Sequence, residues 1–523
     1  MKRLICFMMV ISMILSVGCV EKNIKTVTSD KAKDSIVYGV EKMPMDLSQF
    51  NNNEPEAQCL IANVFQGLIT TDENGNIVPG IAESWSIDKL GLTYKFKIRE
   101  NALWSNGSRI TAFDFSIFFS QILNNKVDNI YANPLNCIRN VDNYKKGLVN
   151  FQETGIKALS EDTLEISLSN PCSYLLNVLS EPIFGIRKVD SKLFNYTSNY
   201  KDIIYSGAYT IYSIEQNGNI ILCRNNNYYD SKKVNDNKIE ITISGSSESS
   251  LADYENGNID IYCNPPRVMT ESLLSENKAE KFKLKSEEGI VFNVKSKNGV
   301  QEKDFRKAIS LVIDRNKISQ EVMGDYAIKA VSFIPEENAE SKLNQDVEKE
   351  KALNLLGKIK INKENNTLKL VYLNSVENKK IADYISKALK ENLRVEVKPI
   401  GLGKKELDET IKRKEYDMAL IEQSEDYDNP VSLLEKWMSA SNLNTFGYKN
   451  YQFDSNIIKS RIEPDVKKSR ELLNQSENII LEDVIFIPLY LKNIIVCKAT
   501  TISGIYITFN GCIKFDKLNK RSR

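Results

Sequence analysis

Residues 62–115 read ANVFQGLITTDENGNIVPGIAESWSIDKLGLTYKFKIRENALWSNGSRITAFDF, and this stretch has the clearest local patterns in the chain. Within it, LTYKFKIRE alternates apolar and other residues with the period of a strand. The turn SNG follows, and Gly107 can adopt a positive φ there without steric cost. Thr111 and Asp114 then form a capping-box pattern at the start of a helix. The stretch therefore predicts a strand, a turn and a capped helix.

The apolar residues of this stretch predict a buried core. They recur every second position in the strand and every third or fourth position in the helix, so each set lies on one face. We expect the core to contain Leu92, Tyr94, Phe96, Ile98, Phe115, Phe118, Phe119 and Ile122, with Trp104 at the end of the strand.

The start of the chain has the pattern of a bacterial secretion signal. Two basic residues precede an apolar run, Leu4–Leu15, which is too short to span a bilayer. The run ends in SVGC, which is similar to a lipobox although its usual leucine is missing. We expect residues 1–18 to be removed, Cys19 to carry lipid, and residues 19–33 to form a flexible tether. The alternative is a removed signal followed by an incidental cysteine.

The composition excludes several classes of protein. The chain has 523 residues, enough for two or more cores, and its net charge of +1 demands neither nucleic acid nor an acidic surface as partner. It contains no histidine, which excludes Ser-His and Cys-His catalytic units and imidazole ligands for a metal. Seven of the nine cysteines lie beyond Cys19, and their odd number and wide spacing predict small core residues rather than disulfides or a zinc site.

The second half of the chain alternates strand and helix patterns. LKLVYLN at 368–374 and RVEVKPI at 394–400 have strand character, and the helical run KKIADYISKALKEN lies between them. The helical KELDETIKRK and the strand DMALIE follow, which predicts an α/β lobe. Upstream, Arg306, Asp314 and Arg315 recur at helical spacing and are predicted to form a charge set on a surface helix.

Several segments together resemble a known family. After residues 62–115 come TGIKALSEDTLEISL, SGAYTIYSIEQNGNIILCRNNNYYD, YENGNIDIY, FRKAISLVIDRNKI, EDYDNPVSLL and IIVCKATTISGI, in the family's order from about Ile61 to the C-terminus. The chain thus resembles extracellular solute-binding protein family 5, the peptide-binding lipoproteins and periplasmic proteins of ABC importers. In that family the segment with Trp104, Thr111 and Asp114 is a scaffold element.

The resemblance implies a two-lobed α/β clamshell, the type II periplasmic-binding-protein fold, with an extra domain inserted in the first lobe. Two hinge crossings are expected near Gly289–Asn293 and Ile485–Tyr490. The implied division is a discontinuous domain I of residues 34–67, 206–288 and 486–523, a domain II of residues 68–205, and a domain III of residues 289–485 that forms the second lobe.

The resemblance also implies a ligand site at QSEDYDNP, residues 423–430. This segment follows the strand DMALIE, and open α/β sheets place ligands just past the carboxyl ends of strands. By the family's pattern, Asp426 pairs with the peptide's α-amino group, and Glu422, Gln423, Ser424 and Glu425 offer backbone to the peptide. The alternative is that Asp426 and Asp428 are ordinary turn carboxylates.

Two further features bear on this site. Relatives often have a tryptophan where this chain has Gln423, which puts the ligand's side-chain preference in doubt. On the opposite lobe, a loose match to a segment that offers backbone to the ligand consists of Asn53, Glu54, Pro55, Glu56, Ala57 and Gln58.

The resemblance implies a binding protein rather than an enzyme. We expect a monomer, held on the extracellular face of the cell membrane by its lipid anchor alone, that delivers peptides to an ABC transporter permease. No cofactor, metal or nucleic acid is expected. The alternatives are a non-peptide solute such as a nickel complex, a signalling-peptide receptor, or an enzyme or adhesin on the same scaffold.

Overall fold

The computed structural model describes residues 35–521, apart from 49, 51–53, 128, 236–237, 336–340, 344–345 and 360–366. The predicted signal, Cys19 and the predicted tether lie outside these residues. Among the helices of the described ranges, none has both the length and the apolar character needed to cross a bilayer.

The strands are, in chain order, β1 (Ser35–Val40), β2 (Ile69–Thr71), β3 (Ile77–Pro79), β4 (Ala82–Ile87), β5 (Thr93–Ile98), β6 (Ile156–Ala158), β7 (Thr163–Ser167), β8 (Tyr209–Ile214), β9 (Ile220–Arg224), β10 (Lys238–Ile243), β11 (Ile261–Cys263), β12 (Ala279–Phe292), β13 (Ala327–Lys329), β14 (Leu368–Leu373), β15 (Val397–Leu402), β16 (Met418–Ser424), β17 (Phe486–Lys498), β18 (Ile502–Ser503), β19 (Tyr506–Ile507), β20 (Ile513–Lys514) and β21 (Asn519–Lys520).

The α-helices are α1 (Pro55–Val64), α2 (Ala112–Ile122), α3 (Val141–Lys145), α4 (Leu175–Leu179), α5 (Ser191–Phe194), α6 (Tyr196–Asn199), α7 (Ser247–Glu255), α8 (Arg267–Ser275), α9 (Lys303–Val312), α10 (Arg315–Lys317), α11 (Lys349–Gly357), α12 (Val376–Leu393), α13 (Lys404–Arg413), α14 (Val431–Leu434), α15 (Tyr451–Ile462) and α16 (Val466–Asp483).

One mixed sheet runs through both lobes. Its strand order is β15-β14-β16-β12-β17-β11-β1-β10-β9-β8, with β13 paired to β17 off this path. By the predicted division of the chain, the strands from β11 to β8 belong to the first lobe, and strands β13, β14, β15 and β16 belong to the second lobe. The long strands β12 and β17, of 14 and 13 residues, pair with each other and belong to both lobes. The predicted crossings, near Gly289–Asn293 and Ile485–Tyr490, thus fall at the end of β12 and the start of β17, and their role as hinges stays a prediction.

The ladder between β12 and β17 is irregular at its centre. The register shifts between Lys283 and Glu287 and again between Glu288 and Gly289. A Cβ atom at Gly289 would lie 2.1 Å from Cζ of Phe486, so only glycine allows the strands to approach this closely. The irregular region begins a few residues before the predicted first crossing, and the domain boundaries stay a prediction.

The inserted domain of the first lobe contains the sheet β4-β5-β7-β6 and helix α2. The predicted capping box at the start of α2 is confirmed, because the Thr111 N–H donates to Asp114 Oδ2 at 2.8 Å and the Asp114 N–H donates to Thr111 Oγ1 at 3.4 Å. The predicted core is also confirmed at Tyr94, Phe96, Ile98, Trp104, Phe115, Phe118, Phe119 and Ile122, which are all buried. Leu92 is only partly buried and packs against this core.

The second lobe has the predicted alternation of strand and helix. Strands β14 and β15 are parallel neighbours with α12 between them in the chain, and α13 leads to β16, which pairs with β14. This β-α-β arrangement places the end of β16 at the carboxyl edge of the sheet, where the predicted site begins.

The prediction of a surface charge set at Arg306 and Arg315 is wrong. Both side chains are buried. The Arg306 Nη2 atom donates to the Asp483 carbonyl at 2.6 Å, and the Arg315 Nε atom donates to the Pro488 carbonyl at 2.7 Å. Burial lowers the pKa of Arg315 to about 10. These guanidinium groups hold the end of α16 and the start of β17 in the second lobe.

The cysteines of the described residues are free thiols, and Cys172, Cys497 and Cys512 among them are buried. The prediction of small core residues therefore holds for these three, while the other described cysteines are partly exposed.

The two lobes touch directly. The Asn177 side chain in the first lobe donates to the Asp428 carbonyl in the second at 2.8 Å. The Ser173 N–H donates to the Arg461 carbonyl at 3.1 Å, and Arg461 Nη2 donates to the hydroxyl of Tyr174 at 2.9 Å. The structure is thus a conformation in which the lobes meet beside the predicted site.

Candidate functional site

Strand β16 has a backbone edge that faces a cavity. On one side it pairs with β12 along its length, but on the other side β14 reaches only its first two residues. The Glu425 N–H donates to the Lys285 carbonyl at 3.1 Å. Because antiparallel pairs alternate, the backbone groups of Leu420, Glu422 and Ser424 point away from β12. In the part of the chain that the structure describes, no strand covers this edge beyond those first two residues.

The turn after β16 is held by Ser432. Its hydroxyl accepts the N–H of Asp426 at 3.2 Å and donates to the carbonyl of Tyr427 at 3.1 Å. The Asn429 side chain accepts the N–H of Val431 at 3.0 Å, where α14 begins. These bonds fix the backbone of Asp426 just past the carboxyl end of the strand, as the sequence predicted.

The Asp426 carboxylate is paired with a lysine of its own chain. Lys436 Nζ lies 2.7 Å from Asp426 Oδ1 and donates to the Ser424 carbonyl at 2.7 Å. The Asp426 side chain is 44% exposed and the Lys436 side chain 21% exposed. An ammonium group therefore already occupies the place that the resemblance assigns to the ligand's amino group.

A cavity of about 320 Å³ lies between the lobes at this point. Its second-lobe wall includes four of the five predicted residues, namely Glu422, Ser424, Glu425 and Asp426. Its first-lobe wall includes Pro55, Gln58, Tyr131 and Glu181. The two segments that the resemblance singled out on opposite lobes thus meet across one cavity.

The first-lobe segment forms the start of a helix. Asn53 lies outside the described residues. Helix α1 begins at Pro55, and the Gln58 N–H donates to the Glu54 carbonyl at 3.0 Å, so this backbone closes a helix rather than extending along a ligand. The Gln58 amide donates to the hydroxyl of Tyr131 at 2.6 Å. The segment therefore faces the cavity with side chains, and its role in ligand binding stays a prediction.

The remaining residues of that segment have structural partners. Lys42 Nζ lies 3.7 Å from Glu54 Oε1 and 3.8 Å from Glu56 Oε2. Ala57 is fully buried in α1. These three residues do not line the cavity.

Gln423 belongs to a buried polar chain instead of the cavity wall. The Trp437 indole N–H donates to Gln423 Oε1 at 3.0 Å, and Gln423 Nε2 donates to Glu287 Oε1. Burial raises the pKa of Glu287 well above its usual value. Here a tryptophan from a later turn packs beside Gln423, and the sequence pattern gave no signal for this neighbour.

The cavity is rich in acidic groups. Burial raises the pKa of Glu181 well above its usual value, and the nearby Asp428 carboxylate raises it further. The Glu425 side chain is 1% exposed and lies 3.8 Å from Lys285 Nζ, which also pairs with Asp428. Burial thus favours the neutral form of Glu181, while Lys285 balances the charge of Glu425 and Asp428.

A second cavity of about 720 Å³ continues along the same edge of β16. Glu422 lines both cavities. Lys492 Nζ lies 2.5 Å from Glu422 Oε2 and 3.8 Å from Glu288 Oε2. Burial raises the pKa of Glu288 to about 7, although Lys492 opposes the rise. The open edge thus leads from Asp426 into a larger space with charges of both signs.

No group of three or more potential acidic or cysteine metal ligands occurs within the ranges that the structure describes.

Comparison with known proteins bears on both lobes. The family model described as bacterial extracellular solute-binding proteins, family 5 Middle, matches residues 76–445. The dipeptide-binding protein DppE of Bacillus subtilis is 26% identical over 460 residues, which cover 85% of this chain and 84% of that protein. The periplasmic oligopeptide-binding protein OppA of Salmonella typhimurium is 27% identical over 452 residues, which cover 82% and 81%.

The similarity to known proteins also holds for the three-dimensional structure. The periplasmic oligopeptide-binding protein OppAIV of Borrelia burgdorferi superposes with a TM-score of 0.78 at 26% identity, and the match covers 93% of this chain and 100% of that one. The two-lobed type II periplasmic-binding-protein fold with an inserted domain is therefore confirmed.

Proposed function

Because this chain belongs to family 5 of the bacterial extracellular solute-binding proteins, we propose that it captures peptides between its lobes and delivers them to the permease of an ABC importer. The observation that carries the proposal is the uncovered backbone edge of β16 beside an acidic cavity. The names of DppE and OppA, which describe dipeptide and oligopeptide binding, support the same class of ligand.

The peptide binds in this proposal as an added strand. Its backbone pairs with the outward N–H and carbonyl groups of Leu420, Glu422 and Ser424, which gives affinity without a strong side-chain requirement. Its α-amino group lies at Asp426, because a desolvated ammonium needs a carboxylate partner. On the first-lobe side, the side chains of Pro55 and Gln58 form the wall of the cavity that holds the peptide.

The proposal gives the chain a transport role without catalysis. The protein acts as a monomer, outside the cytoplasm, and Cys19 carries the lipid that holds it at the membrane surface. Closure of the lobes presents the loaded form to the permease, a hinge transition of the kind that binding proteins use.

The test is the identification of ligands that co-purify with the mature protein. Native mass spectrometry should show bound masses that fragment as peptides, and calorimetry with the same synthetic peptides should reproduce their binding. After incubation, the peptides should be recovered intact, since the protein binds and does not cleave. A non-peptide solute as the bound species, or peptides returned as fragments, would contradict the proposal.

A further inference from the structure

Lys436 occupies the two acceptors that an incoming ammonium group needs. Its Nζ atom lies 2.7 Å from the Ser424 carbonyl oxygen and 2.7 Å from Asp426 Oδ1. Ser424 ends the open edge of β16, and Asp426 supplies the carboxylate beside it. A carbonyl and a carboxylate that both accept from one nitrogen form a site for a primary ammonium group. In this structure the ammonium group comes from the chain itself.

The backbone around Lys436 is fixed, whereas its side chain can leave the site. Lys436 is the middle residue of a single helical turn, Glu435–Trp437. Trp437 is buried and its indole bonds to Gln423, and the hydroxyl of Tyr427 donates to Glu435 Oε1 at 3.3 Å. The Lys436 side chain is 21% exposed, and its ammonium group lies at the end of a flexible four-carbon stem. The ammonium group can therefore move out into solvent.

The other lysine at this end of the cavity has different partners. Lys285 pairs with the Asp428 carboxylate and lies 3.8 Å from a carboxylate oxygen of Glu425. Lys436 is therefore the cation that a ligand's α-ammonium must replace at Asp426.

We propose that Lys436 is a specificity-determining residue, an internal ammonium group that competes with the ligand's α-ammonium for Asp426 and Ser424. This inference rests on the proposed peptide-binding function. A free-amino peptide exchanges one ammonium group for another, so it gains only the difference between the two interactions. An N-blocked peptide leaves Lys436 in place and loses little at this position. Because of this competition, the protein prefers free-amino peptides over N-blocked peptides less strongly than it would with Asp426 alone.

Lys436→Met tests the competition, because it keeps the apolar stem and removes the charge. Lys459→Met is the matched control, since Lys459 is exposed on α15 and away from the cavity. The double variant Asp426→Asn, Lys436→Met removes both partners. If thermal melting shows that Lys436→Met is poorly folded, Lys436→Gln, which is also neutral, takes its place.

The measurement is equilibrium dialysis against an equimolar mixture of two pools of random tetrapeptides, one with free amino termini and one N-acetylated. Mass spectrometry of the retained peptides gives the ratio of free to acetylated peptide. We expect this ratio to rise by about 3- to 20-fold in Lys436→Met, chiefly through tighter binding of the free pool, since such ion pairs are worth about 1 kcal/mol and each 1.4 kcal/mol is tenfold. It should stay unchanged in Lys459→Met and fall close to one in the double variant.

Two results would overturn the proposal, and they differ from each other. An unchanged ratio in a folded Lys436→Met protein that still retains peptides shows that Lys436 does not compete, and leaves peptide binding intact. Failure of every variant and of the wild type to retain either pool removes the peptide-binding function on which the proposal rests.

Discussion

The phenol ring of Tyr174 stacks on that of Tyr427, with ring centroids 5.2 Å apart and planes inclined by 26°. Tyr174 belongs to the first lobe, and Tyr427 follows Asp426 in the second. Both rings are buried. The lobes therefore touch through packed side chains, and these contacts stabilise the arrangement in which the lobes meet beside the cavity.

The first prediction concerns these contacts between the lobes. Asn177→Ala removes the hydrogen bond to the Asp428 carbonyl, so it should weaken binding of every peptide by about 3- to 10-fold, because one such bond is worth about 1 kcal/mol. Calorimetry with free and N-acetylated peptides should show the same loss for both. Asn199→Ala is the control, since its amide bonds to Asn195 nearby in the chain. A loss confined to one class of peptide would contradict a role in closure.

The second prediction concerns the amino terminus of the ligand. In the Lys436→Met background, where no internal ammonium group competes, Asp426→Asn should weaken binding of a free-amino peptide by about 5- to 50-fold, because the carboxylate that receives the ammonium group is lost. N-acetylation of the peptide should do similar harm in Lys436→Met, and less harm in the wild type, where Lys436 keeps its place at Asp426. In a calorimetric double cycle, the two changes together should cost much less than their sum, which is the signature of a direct pair. Additive losses would show that Asp426 does not hold the amino group.

The third prediction concerns the close approach of the two crossing strands. Gly289→Ala should lower the free energy of unfolding by about 1–3 kcal/mol, because the new methyl group meets the Phe486 ring. Gly403→Ala is the control, since no atom lies within 4 Å of a Cβ placed there. Urea denaturation of both variants checks the difference. Equal free energies of unfolding in the two variants would mean that β12 and β17 move apart to accept the methyl group without loss of stability.

The fourth prediction concerns the pH dependence of stability. The pKa of Glu288 rises from 4.5 to about 7 in the folded protein, because the side chain is buried. Between these two values the folded state holds a proton that the unfolded state has released, so Glu288 lowers stability as pH increases through this range. Its contribution is up to about 3 kcal/mol at 1.36 kcal/mol per pH unit, with the opposing effect of Lys492 already contained in the pKa of about 7.

Glu288→Gln removes this contribution. Urea denaturation at pH 5 and pH 8 should show a smaller loss of stability in Glu288→Gln than in the wild type. Glu482→Gln, at an exposed position on α16, is the control. Burial also raises the pKa of Glu435 to about 7, so part of the slope remains in every variant. Identical slopes in Glu288→Gln and the wild type would contradict the prediction.

The fifth prediction concerns the membrane anchor. Cys19→Ser should release the protein from the membrane fraction or leave an unprocessed precursor, because Cys19 is the proposed lipid carrier. Fractionation followed by mass measurement of the chain checks this. A mature-sized variant that stays in washed membranes would show that another segment anchors the protein.

Features set by local spacing could be read from the sequence. The capping box of Thr111 and Asp114 depends on residues three positions apart, and the alternation from β14 to β16 follows from helix and strand periods. The position of Asp426 past the end of a strand follows from the same order of elements. Each of these depends on a few neighbouring residues, so the pattern contains the information.

Features set by distant partners could not be read in this way. Arg306 and Arg315 resemble surface charges because their acceptors include backbone carbonyls of Val484 and Pro488, more than 170 positions away. Every residue has a backbone carbonyl whatever its side chain, so the sequence pattern does not show which carbonyl accepts a hydrogen bond. Lys436 lies ten positions after Asp426 and reads as a solvated residue, and only the turn between them brings its ammonium group to the carboxylate.

Strand β17 lies between β12 and β11 in the middle of the large sheet, yet it comes from the last part of the chain, Phe486–Lys498. Neither lobe can complete its half of the sheet before this segment has been synthesised. The growing polypeptide therefore remains without this central strand until residues 486–498 have been made, and the native pairing of the strand is a late, long-range event. A late central strand of this kind delays the completion of both lobes, and it occurs here in a member of a family of extracellular proteins.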